Sequence, residues 1–164
     1  MKINLTYTVN KKSIPDYYHE VLNCYGLSAK NIKNSTLFII KNIFTSYTYD
    51  KELKTYTLEN NLHQNQLDLI FTVHQTISNL NAKLKAKYEQ KLNTYNKDKD
   101  KEPKLIQFNE YSQTIDSKTY YQIINKTLLE NVIKTKELNN INYQDYSEVH
   151  SHLAQSVVQQ VCDE

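Results

Sequence analysis

Five histidines, two cysteines and a run of aspartates are the residues of this 164-residue chain whose types could do chemistry. His19 and Cys24 are of the types for a base and a nucleophile, but a packed cysteine near a helix end is the simpler reading of Cys24. His150 and His152 are two apart, so on a helix they point about 200° from each other. They cannot share a metal from one helix face and read as surface or capping histidines. His63 and His74 are eleven apart on one expected helix and share a face, yet no acid or cysteine stands beside them at ligand spacing. Asp98-Lys99-Asp100 lacks the Gly and the closing Glu of a calcium loop. Cys24 and Cys162 are too far from any Cys-x-x-Cys pattern to indicate a disulfide framework or a thiolate zinc site. With Gly26 as the only glycine, no Gly-rich phosphate cradle can form. The expectation is a chain with no catalytic residues, no metal site and no cofactor.

The elements that would position anything else are helices. One Gly and two Pro leave few of the turn-forming residues that β-rich folds need, and hydrophobic residues at 39% suffice for one core. The expected fold is mainly α, an irregular bundle of about five to six helices preceded by one N-terminal β-strand. The first residues lack the apolar run of a signal peptide and no stretch reaches membrane-span length, so a reducing cytoplasm is the expected compartment and no membrane partner is expected.

Met1 to Asn10 alternates without a break, with Ile3, Leu5, Tyr7 and Val9 on one face, which is a half-buried strand. The other β-like pieces, Thr45 to Tyr49 with Thr55 to Thr57, and Leu105 to Phe108, are short, so this strand is an orphan whose partners lie elsewhere. A local hairpin or a dimer edge is the alternative. Residues 11–164 then form the helical part. Ser13, Pro15 and Asp16 start a short helix carrying Tyr17, Tyr18, Val21, Leu22 and Tyr25, with Gly26 where a terminator is expected. Ser28 opens a second, with Ile32, Thr36, Ile39, Ile40, Ile43 and Phe44 as its stripe to about Ser46, and the two form a hairpin. Thr57 caps a helix with Leu58 and Leu62 that continues through Leu69, Val73, Ile77, Leu80 and Leu84 to about Leu92. Residues 93–104 are polar, charged and broken by Pro103, and read as a solvated loop. A helix from Asp116 uses Tyr120, Ile124, Leu128 and Val132 and reaches about Leu138.

The last helix, Asp145 to Cys162, has a clear start and no stop. Asp145 and Glu148 have the spacing of a capping box, and Val149, Leu153, Val157 and Val161, with Ala154 and Val158 beside them, give one apolar stripe. The chain then ends in Asp163 and Glu164, acids beside the negative end of the helix dipole. The stretch reads as the front part of something longer.

A formal net charge of +2 hides an uneven distribution. Residues 83–104 carry eight lysines against four acids, and residues 1–41 six against two, each a net +4; after Lys136 there are five acids and no base. All twenty basic residues are lysine. Lys30, Lys33 and Lys41 are close enough on one helix to share a surface, and lysine beside tyrosine and asparagine suits a phosphate backbone and stacked bases. A solvated face is the alternative, and it is preferred for Lys83 to Lys104, where interleaved acids cancel half the charge.

Two blocks carry a resemblance. Tyr146, Val149, Ser151, Ala154, Gln155, Val157 and Val158 fall on the Tyr-x-x-Leu-x-Ser-x-x-Ala-Gln-Gln-Val-Leu segment of the TnpB (OrfB) proteins of bacterial insertion sequences. Ala29-Lys30-Asn31-Ile32-Lys33-Asn34, then Ile40-Lys41-Asn42, resembles that family's Ala-Lys-Asn-Leu-Tyr-Asn and following aliphatic-Arg-Gln. Lys33 replaces the usual Tyr, Lys41-Asn42 the Arg-Gln, and Ser156 the second Gln. The middle of the chain matches nothing in the family.

TnpB proteins are RNA-guided DNA nucleases related to type V CRISPR effectors. The resemblance implies that residues 1–10 are a strand of the wedge domain's β-barrel and that the rest is the helical recognition lobe. It implies guide-type RNA or DNA as partner, held by Lys30, Asn31, Lys33, Asn34 and Lys41, and a C-terminal nuclease part as a second partner. The family's three metal-binding carboxylates and zinc ribbon have no counterpart here, so the chain is expected to bind and not to cut. The competing expectation, from another class, is a stand-alone helical interaction module whose acidic last helix docks on a partner through Val149, Leu153, Ala154, Val157 and Val161.

Overall fold

The computed structural model describes residues 15–98, 103–135, 146 and 151–163. The expected strand at residues 1–10, the capping box of Asp145 and Glu148, and Val149 lie outside the described residues. What is described is mainly helical, with a small antiparallel sheet of three strands.

Helix α1 spans Asp16–Thr45 as one 30-residue element, where the sequence suggests two helices and a break at Gly26. Gly26 takes no left-handed φ, so it continues the helix instead of ending it, although no residue from Tyr18 to Leu27 is buried. A mid-helix glycine costs only about 1 kcal/mol relative to alanine. The second half of α1 buries Ser28, Ile32, Ser35, Thr36, Ile39 and Ile43 on one side. The helix stops at Ser46, whose N–H donates to the Asn42 and Ile43 carbonyls and whose Oγ donates to the Asn42 carbonyl at 2.7 Å.

Strands β1 (Tyr47–Asp50) and β2 (Thr55–Leu58) form a hairpin. The helix expected to start at Thr57 therefore does not, because Thr57 and Leu58 are paired with Thr48 and Tyr47. The Asp50 carboxylate accepts the Glu52 and Leu53 N–H groups at 2.8 and 3.1 Å, closing the turn, and Lys54 leaves it with φ 54°. The alternation is clean. Tyr47, Tyr49, Tyr56 and Leu58 share one face, while Thr48, Asp50, Thr55 and Thr57 share the other. The third strand, β3 (Thr114–Ile115), pairs with β2 through Tyr56 and Thr57, so the stretch Leu105 to Phe108 is not the strand it resembles. Phe108 is instead tied to Asn81 by two hydrogen bonds of 2.8 Å.

Helix α2 spans Gln64–Asp98, so it runs on through much of the segment expected to be loop. Leu69, Thr72, Val73, Thr76, Ile77 and Leu80 are its buried residues. The next helix, α3 (Ser117–Tyr121), starts where expected and is capped by Asp116, which accepts the Thr119 N–H at 2.8 Å; the Thr119 hydroxyl, then that N–H, hold its carboxyl below the usual carboxylate range. The expected single helix breaks into α3, a 3-10 turn at Gln122–Ile124 and α4 (Lys126–Ile133). Asn125 causes the break: it is extended, and its side chain accepts the Leu128 N–H at 3.2 Å as a new N-cap. The restart lets α4 bury Leu128, Leu129, Val132 and Ile133 together.

The last helix, α5, is described over Ser151–Asp163 and packs on α1 and α4. Ala154, Val158 and Val161 are buried within the chain's own core. The core is thus shared by α1, α2, α4 and α5, with Tyr47 and Ile115 of the sheet, Tyr111 before β3 and Tyr120 of α3 joining it.

Candidate nucleic-acid interface

The buried stripe of α1 leaves the opposite side of the helix to solvent. At about 100° per residue, Lys30, Lys33, Asn34 and Lys41 fall within an arc of about 100°, and Lys30 and Lys41 are about 16 Å apart along the axis. Lys30, Asn34 and Lys41 are exposed, and Lys33 is half-buried. Asn31 is half-buried and stands to one side of this row. Leu37, also exposed, lies among the lysines, so the face is mixed in character.

The same arc of α1 ends on Phe44. Tyr120 lies flat between Phe44 and Tyr56, its ring centroid 4.7 Å from the first and 3.7 Å from the second, nearly parallel to both. Tyr121 stands edge-on to Phe44, Tyr120 and Tyr56, and Tyr49 leans on Tyr56 at 4.9 Å. The Tyr120 hydroxyl donates to the Phe44 carbonyl at 3.3 Å, which fixes the ring over the end of α1. Tyr120 is 9% exposed, whereas Tyr49 and Tyr121 are 45% and 51% exposed. A hydrogen bond with Tyr121, then burial, pushes the Tyr56 phenol up to about 12. The result is a ledge with a rigid aromatic centre and two accessible tyrosines at its rim. It sits at one end of a lysine row.

The ledge was not apparent in the sequence. Its residues come from α1, both hairpin strands and α3, more than 60 positions apart, and only the Lys41-to-Phe44 spacing on one helix hints at it. In chemical terms a positive row beside accessible aromatic rings is suited to nucleic acid, with phosphates on the lysines and bases on the rings.

The other candidates do not assemble. Cys24 is exposed in the middle of α1, not packed at a helix end, and it is about 140° around the helix from His19. His63 precedes α2, so it shares no helix face with His74; its N–H donates to Gln66 Oε1 at 3.1 Å as part of the helix start. His152 is exposed on α5 and His150 lies outside the described residues. Among the described residues no group of three or more His, Cys, Asp or Glu is placed to hold a metal, and no helix is long and apolar enough to cross a membrane. An open groove of about 420 Å³ between α4 and α5 is lined by Lys126, Ser156, Gln159, Gln160 and Asp163, and no histidine stands in the lining to activate Ser156.

The residues expected to meet a partner helix are mostly occupied. Ala154 and Val161 are buried and Val157 is half-buried against the chain's own core, while Leu153 is 37% exposed. Close by, Glu130 is buried between Lys126 and Lys134 at 3.8 and 3.9 Å, and Lys134 lies 5.0 Å over the ring of Tyr146. Burial, then the Glu130 charge, pushes the Tyr146 phenol up to about 12.

Comparison of the chain with protein-family models, with curated proteins and with solved structures returned no match.

Proposed function

We propose that this chain is a nucleic-acid-binding helical module of the recognition-lobe kind found in TnpB-type transposon proteins, and that it binds RNA or DNA without cutting it. The observation that carries the reading is the continuity of the α1 lysine row with the aromatic ledge. Lys30, Lys33 and Lys41 supply positive charge for phosphates, Asn34 a side-chain amide, and Tyr121 and Tyr49 accessible rings for unpaired bases. The TnpB-like blocks at Ala29 to Asn34, Ile40 to Asn42 and Tyr146 to Val158 support it independently of the geometry. In this reading sequence is read by base pairing with a guide, while the module grips backbone shape and stacks exposed bases. Cleavage would belong to a nuclease part outside these 164 residues.

The test is an electrophoretic shift of the purified chain against structured RNA, single-stranded DNA and duplex DNA across a salt series. Binding that weakens steeply with salt is expected. Lys30→Glu, Lys33→Glu and Lys41→Glu together should abolish it, with the circular dichroism spectrum unchanged. Tyr121→Ala should weaken single-strand binding by about 1–3 kcal/mol and leave duplex binding nearly intact. A folded protein that binds none of the three at low salt would end the proposal.

A further inference from the structure

The second half of α2 carries a surface the α1 row does not explain. Among the described residues the buried positions of α2 end at Leu80, and the last hydrogen-bonded tie from α2 to another segment is that of Asn81 to Phe108. From Ala82 to Tyr95 the helix continues with no fully buried residue. We call these about four turns, which add no fully buried residue to the core, the arm of α2.

The lysines on this arm are ordered. Lys83, Lys87 and Lys91 recur every fourth residue, all three exposed, so they form a single row with neighbours about one turn apart. No acid stands three or four positions from any of them. Glu89, the one acid between Ala82 and Tyr95, lies on the opposite side of the helix, where it neighbours Lys85. The charge cancellation suggested by the sequence of residues 83–104 therefore does not hold on the arm, since Asp98, Asp100 and Glu102 all come after it. Like charges at this spacing repel and weaken a helix. Beside the row runs a second stripe, Leu84, Tyr88, Leu92 and Tyr95, each half-buried.

We propose that this arm is a second nucleic-acid contact, in which Lys83, Lys87 and Lys91 grip successive phosphates of one strand and Tyr88 and Tyr95 line its edge. It extends the reading of the α1 row and is separable from it. The charge complementarity selects a polyanion. A membrane surface fits less well, because a helix lying in the headgroup region needs a fully exposed apolar face, whereas Leu84 and Leu92 are half-buried and two of the four stripe residues are tyrosines.

The experiment uses the full chain and a fluorescein-labelled stem-loop RNA with a single-stranded tail, followed by anisotropy over a salt series. The variants are Lys83→Gln/Lys87→Gln/Lys91→Gln, the same positions changed to Arg, and Lys30→Glu/Lys33→Glu/Lys41→Glu. The Gln variant should bind at least tenfold more weakly at low salt, with a salt slope shallower by about 0.7–0.9 for each phosphate it no longer neutralises. The Arg variant, which keeps the charge, should match the parent and shows that the arm still folds. Parent-like affinity and slope in the Gln variant, with weakened binding in the α1 variant, would overturn the arm and leave the α1 reading standing. Weakened binding in the Gln variant alone would support the arm and overturn the α1 row. Binding of the parent to phosphatidylserine vesicles and not to the RNA would overturn both as nucleic-acid contacts.

Discussion

The ring of Tyr120 lies 3.7 Å from that of Tyr56, centroid to centroid, with 11° between their planes. Through this contact α3 is held against the hairpin, and because Tyr120 also stacks on Phe44, both are held against the end of α1. Tyr120→Ala should therefore cost about 3–5 kcal/mol in urea unfolding, the range for deleting a buried aromatic ring. Tyr121→Ala, at a half-exposed rim position, should cost less than about 1 kcal/mol. Equal costs would show that the ledge is a uniform core cluster with no rim available to a ligand.

Gly26→Ala separates one long helix from a helical hairpin. A Cβ added at Gly26 meets nothing within 4 Å, and the backbone there has no positive φ. The change should stabilise the protein by about 0.5–1 kcal/mol, through helix propensity and a less flexible unfolded chain. A destabilisation of similar size, read from the denaturation midpoint, would mean that Gly26 terminates a helix.

The two sides of α5 should respond oppositely to charge. Val158→Asp places an unpaired carboxylate at a fully buried position and should cost on the order of 3 kcal/mol or more. Leu153→Asp, on the exposed side, should stay within about 0.5 kcal/mol. The reverse pattern would return α5 to the role of a docking helix for another protein.

Stability should fall in alkali. Burial pushes the Tyr47 phenol up to about 12, and Tyr56 and Tyr146 are also raised to about 12, against about 10 in an unfolded chain. The folded state thus holds these protons more tightly than the unfolded state does. Their contribution is complete below about pH 10 and is lost as the pH rises through about 12. The denaturant midpoint should be flat up to about pH 10 and then drop in step with phenolate absorbance. A midpoint unchanged through that window would show that these phenols titrate alike in both states.

Local patterns in the sequence carried a good deal of this structure. The buried side of α1 from Ile32 to Ile43, the buried side of α2 from Leu69 to Leu80, and the start of a helix near Asp116 were readable because each depends on residues within a turn or two of one another. The lysine row of α1 was readable for the same reason, whereas Lys83, Lys87 and Lys91 were read as part of a face whose interleaved acids cancel half the charge. The strand pattern around Tyr47 and Thr55 was visible too, though not that it would take Thr57 and Leu58 from the following helix.

The amino-acid sequence by itself thus determined a mainly helical chain, the faces its helices bury, and the row of charge opposite the buried side of α1, since a period of 3.6 residues is a local property. Only the tertiary structure decided what each face meets. A helix face does not name its partner, so the burial of Ala154 and Val158 against α1 and α4 could not be told from docking on another protein. Pairing of Ile115 with Tyr56, and stacking of Tyr120 between Tyr56 and Phe44, join residues dozens of positions apart, where packing has to outweigh the entropy of closing the intervening loops and no local preference decides the outcome. Gly26 and Asn125 show how little one residue decides by type alone: α1 runs through a glycine that keeps a helical φ, while a side-chain cap ends a helix that the apolar stripe alone would continue.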